Sequence, residues 1–165
     1  MSPFIVLGLD LALGHTGWAH VAYEDGTLLA SGVIAPDAGL ELHERLIHIA
    51  DAVHDVLTES VMTVAIERAV SHRSGTTTIR LGMVHGAVLV ALHNGPGFID
   101  VGPTEVKKWA TGNGAADKDA MVAAAHARFG RTLSPDEADA ALVAAWARDR
   151  LLAAGAVHPS GGGVA

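Results

Sequence analysis

Two short apolar runs in this 165-residue chain each end in a carboxylate. Residues 4–10 (Phe-Ile-Val-Leu-Gly-Leu-Asp) close on Asp10, and residues 61–67 (Val-Met-Thr-Val-Ala-Ile-Glu) close on Glu67. Each reads as a buried strand with an acid at its C-terminal end. As parallel neighbours they would bring both acids to the sheet edge where α/β folds place their sites. A last helix opening at Ser134 adds Asp136 and Asp139, three apart and so on one face of its first turns. Four acids in one place repel one another unless a cation lies between them. Oxygen-only ligands select hard divalent ions, chiefly magnesium or manganese. Two such ions ~4 Å apart activate a water and stabilise a departing oxygen in phosphodiester hydrolysis. A local reading competes: Asp136 and Glu137 both favour a helix N-terminus through capping and the dipole. Spacing leaves Asp136 open between the two readings. Asp139, set among alanines on a helix that is otherwise apolar, fits the local reading less well. Glu137 points about 100° away from Asp136 on the helical wheel and is assigned to the capping box with Ser134.

The elements that must position these acids follow from periodicity and turn chemistry. Residues 16–23 and 27–34 flank Glu24-Asp25-Gly26 and read as a hairpin, so the first three strands form an antiparallel meander. Residues 39–59 carry apolar residues at helical spacing, from Leu40 to Leu57. The polar stretch from Ser71 to Thr78 reads as a mobile loop. A helix over about 79–93 stops at Asn94-Gly95-Pro96-Gly97, and residues 98–101 form another strand. Pro103-Thr104-Glu105 opens a short helix that Gly112-Asn113-Gly114 breaks. Further helices cover about 116–129 and 134–152. No repeat or internal linker appears, which predicts one α/β domain over residues 1–154 with a Gly-rich, frayed tail over 155–165.

Composition sets the outer limits. Half the residues are hydrophobic and 18% are charged, which excludes wholesale disorder. With only three Trp, three Phe and one Tyr, the interior falls to Ala, Val and Leu. The absence of cysteine removes disulfides, Cys-based zinc sites and thiol catalysis. No apolar run reaches membrane-spanning length and the N-terminus lacks signal-peptide features, so a soluble, cytoplasmic protein is expected. The net charge of −7 argues against a nucleic-acid partner, but its distribution does not. Residues 1–67 hold one basic and ten acidic residues, whereas residues 68–131 hold eight basic and four acidic. That basic middle suits a polyanion. Arg68, Arg73 and Arg80, with His72, surround the polar loop after Glu67 and are candidate phosphate contacts, set against an ordinary solvated loop. Lys107-Lys108-Trp109 is a candidate basic patch, though an aromatic in so aromatic-poor a chain is better spent in the core. None of the ten histidines forms a tight H-x-x-x-H pair, so zinc is rejected. His15, beside the Asp10 turn, reads as structural.

In order along the chain, several segments resemble the RuvC Holliday junction resolvases, within the ribonuclease H-like fold. They are Gly8-Leu9-Asp10 with Thr16-Gly17-Trp18-Ala19, then Ala65-Ile66-Glu67, then Leu81-Gly82 with His85-Gly86. Val106-Lys107, Gly112-Asn113-Gly114-Ala115-Ala116-Asp117-Lys118 and Pro135-Asp136-Glu137-Ala138-Asp139-Ala140 complete the series. The match runs from about residue 5 to 148. It implies a five-stranded mixed sheet flanked by helices, a homodimer, and magnesium-dependent cleavage of four-way DNA junctions by paired symmetric nicks, with manganese substituting and two ions per site. By position, Asp10, Glu67, Asp136 and Asp139 would be the metal-binding catalytic carboxylates. Lys107 and Lys118 would lie near the scissile phosphate, with Lys118 touching it, water as nucleophile and 5′-phosphates left. Gly82 and Gly86, four apart on the helix over about 79–93, would open that helix to a second subunit, with Met83, Val84, Ala87 and Val90, against the alternative of packing on the chain's own sheet.

Four departures qualify the resemblance. Asp10-Leu11-Ala12 replaces the family's Asp-Pro-Gly, the total charge is negative, and the glycine tail has no counterpart. Val70 stands where cellular members present an aromatic residue, a loss of ~1–3 kcal/mol of base stacking. Together these imply a divergent, phage-type branch with broader specificity for branched DNA. The alternatives are a related nuclease acting on RNA, flaps or simple branched DNA, and a catalytically silent junction binder. An actin-like ATPase would need a second domain and phosphate loops. Nothing in the sequence identifies a branch-migration motor as a partner.

Overall fold

Alternation along the first strand divides its side chains between two cores. In the computed structural model, which describes residues 3–69 and 74–155, β1 (Ile5–Asp10) sends Ile5, Leu7 and Leu9 to one apolar cluster and Val6 to the other, as a period of two requires. β2 (Thr16–Ala22) and β3 (Leu28–Ile34) continue as the expected antiparallel meander. Then come α1 (Leu42–Val56), β4 (Val61–Glu67), α2 (Gly75–Ala91) and β5 (Phe98–Val101). The chain closes with α3 (Pro103–Thr111), α4 (Lys118–Phe129) and α5 (Pro135–Ala153). Strand order is β3-β2-β1-β4-β5, with β4 parallel to both β1 and β5. This is the five-stranded mixed sheet with flanking helices anticipated above.

One face of the sheet is covered by α1 and α2, through Ile49, Val53, Val84 and Val88. The other is covered by α3, α4 and α5, through Val106, Met121, Ala125 and the buried alanines of α5. α5 touches all five strands. Its inner positions are small, with Ala138, Ala140, Ala141, Ala144 and Ala145 buried, so its backbone can descend onto the sheet. Two glycines complete that approach. A Cβ on Gly8 would run into the carbonyl of Ala140 and stand 2.8 Å from the Ala144 nitrogen. A Cβ on Gly17 would run into the carbonyl of Asp136.

Three expectations are corrected. Gly75–Thr78 are the first turn of α2, not loop, because Ser74 caps the helix: its hydroxyl accepts from the Thr77 N–H at 3.4 Å, and Thr78 donates its own hydroxyl to the Ser74 carbonyl. A polar Ser-Gly-Thr run reads as loop in sequence, yet supplies a cap here. Residues 71–73, with His72 and Arg73, and also Val70 lie outside the described residues, as does the tail beyond residue 155. α1 is shorter at both ends than residues 39–59. Finally, Val84 is fully buried in its own core and offers nothing to a partner. The outer face of α2 instead exposes Ile79, Met83, Leu89 and Val90, the last by 75%, and a Cβ on Gly82 or Gly86 would meet nothing within 4 Å. Those glycines are not explained by packing on the chain's own sheet.

Overpacking the α5 contact should be costly. Gly17→Ala is expected to destabilise the fold by about 1–3 kcal/mol, read from denaturant unfolding. Gly86→Ala, on the face of α2 left open in a single copy, should be neutral or stabilising by up to about 1 kcal/mol for the monomeric chain.

Candidate active site

Asp10 shares the sheet face of Val6 and Gly8, the face that α5 covers. In β4, Ala65 belongs to the α5-side core and Ile66 to the other, so alternation returns Glu67 to the α5 side. Leu9 and Ile66 are the last paired residues of these parallel strands, and each acid is the next residue along. Asp10 in turn pairs with Gly17, whose missing side chain admits the first turn of α5. Asp136 and Asp139 are therefore delivered over the end of β1 by the same backbone contact.

The first turn of α5 shows which residues form the capping box. The Ser134 hydroxyl accepts from the Glu137 N–H at 3.3 Å, and the Glu137 carboxylate accepts from the Ser134 N–H at 3.0 Å and from the Ser31 hydroxyl at 2.9 Å. The box belongs to Ser134 and Glu137, and Asp136 takes no part in it.

Electrostatics mark the acids as one neighbourhood. Burial, followed by repulsion from Glu67, Asp139 and Asp136, pushes the Asp10 carboxyl up to about 7, against the pull of Lys118. Burial and then repulsion from Asp139 raise Glu67 to about 7, with Lys107 opposing. Asp139 is raised by burial above all, while Lys118 and Lys107 draw it down. Lys107 is partly buried on α3, and Lys118 is the exposed first residue of α4. Gly112, in the left-handed region at φ 80°, ends α3. The Asn113 side chain then accepts from the Ala115 N–H, and Asp117 caps α4. The glycine-asparagine segment is thus the turn that aims Lys118 at the acids. Among the described residues no three His or acidic side chains close into a ready-made metal cage. The donor set nevertheless fits a hard divalent cation, being oxygen only and charged well beyond what two lysines offset.

A cleft of about 550 Å³ opens beside Asp10 and Glu67 toward α1 and α2, and Arg68 and Arg80 line it. Arg45 of α1 lines it too, a residue the sequence reading passed over. It stands four before Ile49 and eight before Val53, on the buried stripe of α1, and a charge on an apolar stripe was the available signal. The other candidates do not gather here. Trp109 packs partly against the core with the Arg128 guanidinium 4.6 Å from its ring centre, so its face is taken. His15 is exposed. His20 is buried, its Nε2 2.8 Å from the Val56 carbonyl, and serves the core. No helix among the described residues is long and apolar enough to cross a membrane.

Comparison with known proteins agrees with this fold. Residues 6–147 match the family model described as crossover junction endodeoxyribonuclease RuvC. A relative of that name from Rickettsia conorii is 36% identical over 148 residues, covering 85% of this chain and 94% of the relative. The Thermus thermophilus RuvC structure superimposes with a TM-score of 0.78 at 27% identity, covering 91% of this chain and 97% of the other. The T. thermophilus RuvC in complex with a Holliday junction substrate gives a TM-score of 0.79 at 28% identity, covering 89% and 96%.

The raised carboxyls predict an unusual pH dependence. Asp10 and Glu67 bind protons more tightly folded than unfolded, so the metal-free chain loses stability as pH rises from about 4 through about 7. His20 and His85, lowered by burial, act in the opposite sense below about pH 6.5, so variants are compared at matched pH. In EDTA at pH 8, Asp10→Asn should melt above the wild type, and at pH 5 that advantage should shrink. A thermal melt series checks both.

Proposed function

The chain belongs to the RuvC family of crossover junction endodeoxyribonucleases, and from that premise we propose how its own residues carry out the reaction. It is a Holliday junction resolving endonuclease. The observation that carries the residue assignment is the gathering of Asp10, Glu67, Asp136 and Asp139 at one end of β1, with Lys107 and Lys118 beside them. Asp10, Glu67, Asp136 and Asp139 would hold the metal, two magnesium ions with manganese able to substitute. Bound there, the ions supply Lewis-acid stabilisation of the phosphoryl oxygens and a lowered pKa for water.

The chain's own groups do the rest. The carboxylates must be deprotonated to bind, and Lys107 and Lys118 favour that form through their charge. Lys118, exposed at the start of α4, is free to reach the scissile phosphate. Arg68 and Arg80 border the cleft next to the acids and grip the backbone of the cut strand; Arg73 joins them in this assignment. Water adds to phosphorus and gives up a proton to solvent as the P–O3′ bond breaks, the leaving O3′ takes a proton from solvent, and the nick keeps its 5′-phosphate. The apolar outer face of α2, with Ile79, Met83, Leu89 and Val90 about two open glycines, is the surface for a second copy of the chain. A two-fold pair carries two sites of opposed orientation, as paired symmetric nicks require. The reaction is assigned to the cytoplasm.

Cleavage of a labelled four-way junction with magnesium or manganese, beside linear duplex, flap and RNA–DNA hybrid, tests this reading. The expected result is paired symmetric nicks on the junction, abolished by EDTA. Asp10→Asn should fold and bind the junction while nicking falls by orders of magnitude. Normal cutting by that variant would contradict the carboxylate assignment.

A further inference from the structure

Arg45 is held in place at one end and unsatisfied at the other. Its Nη2 donates to the Leu13 carbonyl at 3.0 Å, tying α1 to the loop that leaves Asp10. Its Nε is buried and without a hydrogen-bond partner. Among the described residues no carboxylate lies within ion-pair distance of Arg45, Arg68 or Arg80, since the ion pairs present engage only Arg128 and Arg148. A buried donor on a charged group is expensive to leave unpaired, and natural structures seldom keep one without a use.

The surroundings indicate what would pair with that charge. Three arginines line one cleft of about 550 Å³, whose remaining walls include apolar Leu11, Leu13 and Leu81. Asp10 and Glu67 stand at the same cleft, so an anion bound there lies next to the reacting phosphate. A nucleotide has the matching chemistry, with a phosphate for the arginines and a sugar for the apolar wall. Arg45 differs from Arg68 and Arg80 in being partly buried where they are exposed. Its anchor to Leu13 fixes the fork before any ligand arrives, which reduces the entropy lost on binding.

We infer that this cleft is a subsite for the nucleotide flanking the scissile phosphate, and that Arg45 binds a backbone phosphate of that nucleotide. The assignment rests on the junction-cleaving reading and adds to it the residue that sets the register of the cut strand. A structural tie between α1 and the loop accounts for Nη2 alone. It leaves a guanidinium charge with no carboxylate partner among the described residues.

The test uses the full chain, manganese and four-way junctions carrying one neutral methylphosphonate at successive positions on either side of the cut. One flanking position should slow single-turnover cleavage by the wild type by about tenfold or more, as loss of a charge-assisted bond does. In Arg45→Gln the same position should bring no further loss, while the other positions slow variant and wild type alike. Arg45→Lys keeps the charge and should recover part of the rate; it carries the same comparison if Arg45→Gln does not fold. Independent, multiplicative effects at every position overturn the inference and reduce Arg45 to a structural tie. A wild-type chain that leaves all junctions uncut counts against the nuclease reading instead. Binding of the same junction set in calcium then decides the Arg45 contact separately, by the same non-additivity.

Discussion

The site depends on how closely one helix can lie on the sheet. α5 carries half of the acids, and its first two turns rest on β1 and β2 where Gly8 and Gly17 present bare backbone. The buried alanines of α5 keep the rest of that interface equally shallow. A side chain at either glycine would lift the helix and withdraw Asp136 and Asp139 from Asp10. The small-residue composition of the interior, which first reads only as a shortage of aromatics, therefore sets how close two pairs of carboxylates stand.

That approach gathers negative charge in a partly buried place, which opposes folding. Asp10 and Glu67 respond by holding protons up to about pH 7. Lys107 and Lys118, brought in on α3 and α4, offset some of the repulsion. On the proposed reading a divalent cation would remove the remainder, which would couple metal binding to the stability of the whole domain. The same electrostatics organise the opposite side of the acids, where arginines without carboxylate partners face the cleft. On the proposed reading, cation-binding and anion-binding groups would alternate across a short distance, as phosphodiester chemistry requires.

Much of this was legible in the sequence because strands that end in acids are short, apolar and bounded by turns. β4 and β5 fall on the residues that periodicity indicates, and the Ser134–Glu137 box marks the start of α5 without ambiguity. What stayed hidden involves tertiary context. The Ser74 cap sits in a polar run that has the composition of a loop. Val84 lies beside exposed Met83, and only the rotation of α2 on the sheet shows which one faces inward. Arg45 looks like one more charge on a solvated helix until its position on the stripe of Ile49 and Val53 is counted. Gly8 and Gly17 are ordinary strand glycines in sequence, and their importance appears only once α5 lies over them.

The most direct test of this dependence is manganese binding, by calorimetry, to the wild type, Gly17→Ala and Asp139→Asn, with Gly86→Ala as control. If the backbone contact delivers the α5 acids, folded Gly17→Ala should bind manganese about tenfold more weakly or worse. Adding Asp139→Asn to it should then cost less than the same change costs the wild type, and Gly86→Ala should bind normally. Wild-type affinity in folded Gly17→Ala would contradict the claim that the close approach of α5 builds the site.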